Sequence, residues 1–196
     1  MPVGDESKSR ITATDLALIA VFAALIAVSS VAVALPIGIL GVPITLQTFA
    51  ILLTGAILGS VRGFLSVSLY LLVGFVGVPV FAGGMAGVAP FLGVTAGYLL
   101  AFPFAAAIIG IAGTRFHNRK PKVMFAALLA FGLLAILLVT LSGSVSIAIV
   151  GNLSYGQALL AALIYVPGDL IKLVIAAIVA SSVHRAFPSL LSKRKS

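Results

Sequence analysis

Cysteine is absent from this 196-residue chain, which removes disulfides, thiolate nucleophiles and most zinc sites. Charge is nearly as scarce: 8% of the residues are Asp, Glu, Lys or Arg, where soluble chains carry about 25%. No HExxH helix, GxSxG elbow or cluster of carboxylates occurs, so an enzyme is not expected, and neither is a cofactor or a metal site. A Walker A sequence is missing too, and any energy for uphill work has to come from a partner or an ion gradient. What fills the chain instead is hydrocarbon. Hydrophobic residues make up 62% and the mean hydropathy is +1.30, more apolar surface than a soluble domain of this size can hide. The chain reads as an all-α, polytopic membrane protein. Its net charge of +8 does not point to nucleic acid, because the basic residues sit at the ends of apolar segments rather than along a soluble face.

In chain order, residues 1–14 are polar and form a short tail. The first apolar run, Leu16 to Leu35, ends near Ala32-Val33-Ala34 and so imitates a signal peptide, but it is long enough to span and is read as a retained helix. A Pro/Gly-punctuated loop covers 36–44. Span two is expected from about Ile44 to Val61, then a tight turn at Arg62-Gly63, then span three from Phe64 to about Gly77. Residues 78–97 hold five glycines, a sign of irregular backbone at membrane depth that is tolerated only beside protein or a cavity. Span four is expected from about Pro90 to Ala112, span five from Val123 to about Leu141, and a Ser/Gly/Asn-containing stretch over 142–156. Gln157 to Val166 has a helical pattern, and span six runs from Pro167 to about Arg185. The organisation expected is a cytoplasmic tail (1–14), a six-helix transmembrane domain (15–186) and a basic cytoplasmic tail (187–196), with no internal repeat.

The basic residues orient these spans. Eleven of the twelve fall in the amino tail, at Arg62, in the 115–122 loop or from Arg185 onward. Two expected spans separate each group from the next, so six spans put all eleven, and both termini, on the cytoplasmic side. The three opposite connections contain no charge.

The exception is Lys172. It lies in Pro167-Gly168-Asp169-Leu170-Ile171-Lys172, where a carboxylate and an ammonium three residues apart share one face of a helix. Each costs roughly 2.5–3.5 kcal/mol near the centre of a membrane helix. Span six starts on the outer side, so the pair lies one or two turns below that surface. Two readings stand open: an ion pair that neutralises itself between helices, or a site for a polar solute. Asp169 can accept from a pair of N–H donors and Lys172 can attract a carboxylate. Thr45 and Gln47 begin span two on the same side, and Tyr98 offers an aromatic face with a hydroxyl. For Gln47 a helix–helix hydrogen bond competes with ligand contact, and for Tyr98 a place in the interfacial belt does. His117 and His184 lie at the cytoplasmic ends. Small residues spaced by four in the first span (Ala13/Ala17, Ala20/Ala24, Ala23/Ala27) allow another helix to approach closely. A stand-alone secondary transporter, a membrane enzyme and a structural subunit remain rivals on these residues alone, although no inverted repeat supports the first.

Five ordered motifs go further. Val42-Pro43-Ile44-Thr45-Leu46-Gln47-Thr48-Phe49, Leu58-Gly59-Ser60-Val61-Arg62-Gly63, Gly77-Val78-Pro79-Val80-Phe81-Ala82-Gly83-Gly84, Leu92-Gly93-Val94-Thr95-Ala96-Gly97-Tyr98 and Pro167-Gly168-Asp169-Leu170-Ile171-Lys172 together resemble the biotin-specific S components (BioY) of energy-coupling factor (ECF) transporters, over roughly residues 14–185. Val94 and Ala96 depart from the family's Gly-Pro-Thr-Gly-Gly-Tyr. The resemblance implies a six-helix capture subunit in the cell membrane that binds biotin from outside and associates with a transmembrane coupling subunit and two cytoplasmic ATPases. It implies that Asp169 receives the ureido N–H groups of biotin, while Lys172 faces a carboxylate or orients Asp169. Gln47, Thr45 and Tyr98 complete the polar shell, Gly83, Gly84 and Gly97 permit close backbone approach, and Ala20 and Ala24 match the family's coupling motif. Within the capture-subunit reading, another vitamin is the alternative cargo.

Overall fold

The computed structural model describes residues 11–32, 34–35 and 42–191. The charged residues expected in the two tails (Asp5, Glu6, Lys8, Arg10, Lys193, Arg194, Lys195) and most of the 36–44 loop lie outside them. The described residues are helical almost throughout. Its helices are α1 (Ala13–Ala32), α2 (Gln47–Leu58), α3 (Ser60–Phe75), the four-residue α4 (Ala89–Leu92), α5 (Ala96–Phe116), α6 (Pro121–Gly151), α7 (Tyr155–Ala162) and α8 (Val166–Ala186). A two-residue antiparallel pair joins Ala34 to Thr45 and Leu35 to Ile44, and single 3₁₀ turns cover Ala82–Gly84, Leu163–Tyr165 and Pro188–Leu190.

α2 is the axle of the bundle. Ten of its twelve residues are buried, and α1, α3, α5 and α8 all pack on it. A helix that is apolar on every side is stable only when surrounded, which explains why its sequence shows no amphipathic stripe. Close approach is built from missing side chains. A Cβ on Gly55 would strike the backbone of Ala106 in α5, and one on Gly110 would strike Gly59 and Ser60. Around α2 the core continues through Leu99, Phe102 and Ile109 of α5, Leu128 and Val139 of α6, and Leu173 of α8.

Among the described residues, four helical stretches are long and apolar enough to cross a bilayer: α1, α5, α6 and the continuous run from Tyr155 to Ala186. α2 and α3, with 12 and 16 residues, are about 18 and 24 Å long at 1.5 Å per residue, short of the ~30 Å hydrocarbon layer. Six spans are therefore not matched one for one: four stretches have the length of a span, the last made of α7, a 3₁₀ turn and α8, while α2, α3 and α4 are shorter. Three local expectations change with this. The chain turns at Gly59, whose φ of 82° is a left-handed conformation that suits glycine, whereas Arg62 and Gly63 already lie inside α3. Ile44 and Thr45 belong to the strand pair, so α2 starts at Gln47. The 142–156 stretch is not a loop: α6 continues to Gly151 and ends on Asn152 at φ 50°, because Ser144 and Ser146 return their hydroxyls to carbonyls of the preceding turn and leave the helical ladder intact.

At the opposite end, Arg62 reaches Asp15 of α1 at 3.4 Å and donates to the Leu190 carbonyl at 3.0 Å. These contacts draw the starts of α1 and α3 and the chain's last described turn together.

Candidate functional site

Three helix beginnings converge on one cavity. Pro167 sits in the first turn of α8, where its fixed φ suits a helix start and its missing N–H costs nothing. That places Asp169 in the same turn, where the helix dipole favours a negative charge. Gln47 and Thr48 occupy the first turn of α2, with Thr45 Oγ1 accepting from the Gln47 backbone N–H at 3.2 Å. Tyr98 lies in the first turn of α5.

Asp169 and Lys172 form an ion pair of 2.9 Å on Oδ1, with side chains 10% and 15% exposed respectively. Thr48 Oγ1 completes the group, 2.9 Å from Asp169 Oδ1 and 3.2 Å from Lys172 Nζ. The pair is not sealed into the bundle. Both residues line a cavity of about 200 Å³, with Thr45, Gln47, Thr48, Thr95, Tyr98 and Tyr165 as its other polar side chains and Phe81, Met85, Leu99, Phe102, Val139 and Ile164 among the apolar ones. A small, mostly apolar chamber with a few converging polar groups has the general character of a small-molecule site.

Gln47 serves two masters. Its Nε2 donates to Tyr70 Oη at 2.9 Å, and Tyr70 Oη lies 3.2 Å from Ser30 Oγ of α1 and 3.3 Å from the Val80 carbonyl. The helix–helix bond is therefore made, and Gln47 still lines the cavity. Tyr98 packs against the core of the bundle. Its ring meets Tyr165 edge-on at 6.3 Å between centroids, and its hydroxyl is buried with no hydrogen-bond partner among the described residues. The ring fits because α6 has no side chain at Gly143: a Cβ there would fall on it.

The predicted glycines act at one remove. Gly83 and Gly84 have φ of 71° and 76°, and neither borders the cavity; they turn the backbone so that their neighbours Phe81, Ala82 and Met85 do. Gly97 is a packing residue. A Cβ there would strike the Ser142 backbone of α6, and its N–H donates to Ser146 Oγ at 3.1 Å. Ala20 and Ala24 lie far from this chamber in sequence and are exposed on α1, as are Ala13 and Ala17, while Ala23 is buried against the bundle. His184 is buried with Nε2 2.9 Å from the Ala56 carbonyl, and no cluster of three metal-ligating side chains occurs among the described residues.

Sequence reasoning passed over Thr48, Thr95, Phe81, Phe102 and Tyr165. Thr48 had one signal, its place beside Gln47 in the same motif. Tyr165 reaches the site by its hydroxyl bond to the Val42 carbonyl at 3.0 Å, a contact between segments 123 residues apart.

Comparison with known proteins agrees with this architecture. The profile of the BioY family matches residues 6–189. "Biotin transporter BioY" of Rhizobium etli is 32% identical over 90% of this chain and 96% of its own length. The protein of that name from Rhodobacter capsulatus is 36% identical over 92% and 98%, and the "Probable biotin transporter BioY" of Bacillus subtilis is 36% identical over 88% and 91%. Among solved structures, the S-component for biotin from an ECF-type ABC transporter superposes with a TM-score of 0.78 at 27% identity, covering 94% of this chain and 95% of that one. These relatives are named as transporters, not enzymes. On the strength of the profile match and of full-length relatives above 30% identity, this chain belongs to the BioY family.

Proposed function

We propose that this chain is the biotin-capturing S component of an ECF-type transporter, with the cavity at the starts of α2, α5 and α8 as its binding site. The observation that carries this reading is that the Asp169–Lys172 pair lines a chamber instead of being packed away. An ion pair kept for architecture alone is often replaceable by hydrocarbon, and one bordering a cavity is offered to a solute. Biotin matches the lining: two N–H donors and a carbonyl in its ureido ring, an apolar thiophane, and a carboxylate at the end of its tail. Asp169 accepts from a ureido N–H, Gln47, Thr45 and Tyr98 complete the polar shell, and Gly83, Gly84 and Gly97 shape the backbone around them.

In this reading the chain crosses the cell membrane six times. The extended residues before α2 add to its short length, and α3 is completed by the chain that follows it. Both termini are cytoplasmic and the cavity opens outward. Residues 15–186 form the membrane domain, flanked by tails 1–14 and 187–196. The exposed Ala20/Ala24 face of α1 docks a transmembrane coupling subunit, which links the chain to two cytoplasmic ATPases.

Calorimetric titration of the purified chain in detergent against a panel of vitamins tests the cargo. Saturable one-to-one binding of biotin alone is expected, and binding of a different vitamin, or of none, would reject the reading. The orphaned hydroxyl of Tyr98 adds a second expectation. A buried hydroxyl without a partner is destabilising, so Tyr98→Phe does not lower the thermal midpoint of the ligand-free protein, yet it weakens biotin binding about fivefold, the worth of a hydrogen bond of roughly 1 kcal/mol. Melting curves with and without biotin read both effects.

A further inference from the structure

Asp169 and Lys172 stand on one helix, and the group that completes their arrangement stands on another. The Thr48 hydroxyl is 2.9 Å from Asp169 Oδ1 and 3.2 Å from Lys172 Nζ, while Nζ is 2.9 Å from the same Oδ1. Chemistry fixes the direction of each bond. An ionised carboxylate only accepts and an ammonium only donates, so the hydroxyl gives its proton to Oδ1 and takes one from Nζ. The three side chains close a ring that ties the first turn of α2 to the first two turns of α8.

The ring determines what remains for a ligand. Oδ1 accepts two hydrogen bonds, and Oδ2 accepts none from the described residues. An ammonium has three protons, and two of those on Nζ are engaged. One carboxylate oxygen and one ammonium proton are left, on residues that share a helix face and border the cavity. An acceptor beside a donor complements an edge in which N–H adjoins C=O, as in an amide or a urea. Without the hydroxyl, the carboxylate can turn about its Cβ–Cγ bond and present either oxygen to Lys172, and the paired presentation is lost.

Resting on the biotin reading above, we propose that Thr48 is a positioning residue of the site, holding Asp169 and Lys172 so that a single acceptor and a single donor meet one N–H/C=O edge of the ureido ring. Thr48→Val removes the hydroxyl at nearly constant shape, and Thr48→Ser restores it. The readouts are the affinity for biotin, the affinity for 2-iminobiotin, in which nitrogen replaces the ureido oxygen, and the thermal midpoint of the ligand-free protein. Thr48→Val is expected to weaken biotin binding about tenfold, as loss of a hydrogen bond to a charged group does. It should also shrink the preference for biotin over 2-iminobiotin, and Thr48→Ser should restore both. A lowered midpoint with both ligands weakened equally would mark a structural role and overturn the proposal, as would unchanged affinity. If Thr48→Val does not fold, Thr48→Ala is judged by the same three readouts. Unsubstituted protein that fails to bind biotin would sink the biotin reading and this inference with it, whereas binding whose preference ignores Thr48→Val would sink the inference alone.

Discussion

Asp169→Asn lowers the affinity for biotin at least about thirtyfold, since truncating one member of a buried, hydrogen-bonded charge pair costs 2–5 kcal/mol or more. The substitution keeps the shape and an oxygen that still accepts from Thr48 and Lys172, but it removes the charge. Two things are lost together. The ligand-facing oxygen, Oδ2, is replaced by an amide NH2, which donates and cannot accept from a ureido N–H. Lys172 loses its counter-charge and competes for the remaining oxygen. Breaking a fully buried pair also destabilises the fold by about 3–5 kcal/mol. That penalty is softened here, because Lys172 borders a cavity in which water can solvate it. The variant is therefore expected to fold, with a lower melting point, and to bind poorly. Calorimetry on the monodisperse variant measures this; wild-type affinity would remove Asp169 from the site.

The second large effect lies on α1. Ala20→Trp is expected to leave biotin binding within about twofold of normal, as exposed substitutions generally do, and to reduce ATP-dependent uptake to background in cells that express the coupling module. The reason is geometric. Ile19, Ala23, Ile26 and Ser30 turn inward, so Ala20 and Ala24 stand on the open side of the helix. Small residues there let a second backbone come within close packing distance, and an indole fills that gap. Normal uptake by the variant would reject the docking role of this face.

How much of this was legible beforehand depended on the range of the interaction. Asp169 and Lys172 are three residues apart, so the helical period alone put them on one face, and the ion pair follows. The membrane class followed from hydropathy with equal directness. Interactions across the bundle were not legible in the same way. Thr48 meets Asp169 from 121 residues away, and its place beside Gln47 does not reveal that partner, just as Thr54 gives no sign that its hydroxyl returns to the Ala50 carbonyl. Glycines are ambiguous on their own. Gly97 permits a close backbone approach, and in the bundle the Ser142 backbone of α6 makes one. Ser142, Gly143 and Ser144 suggest a connection after span five, yet they are helical, and Gly143 is the position that accommodates Tyr98. A small residue reports close approach, and only the packed bundle shows what approaches. The turn expected at Arg62-Gly63 lies at Gly59 instead, for a related reason. A basic residue at a membrane end suggests a loop, but the guanidinium of Arg62 works from inside α3, binding Asp15 and the Leu190 carbonyl.

The absence of cysteine provides the most direct test of the central claim, that the chamber beside Asp169 and Lys172 opens outward and takes biotin. Met85→Cys places a unique thiol on the chamber wall. The measurement is its rate of labelling in intact cells by a membrane-impermeant maleimide, with and without biotin. The account predicts labelling from outside that biotin slows in a saturable way. Labelling only after the cells are opened, or a rate indifferent to biotin, would contradict it.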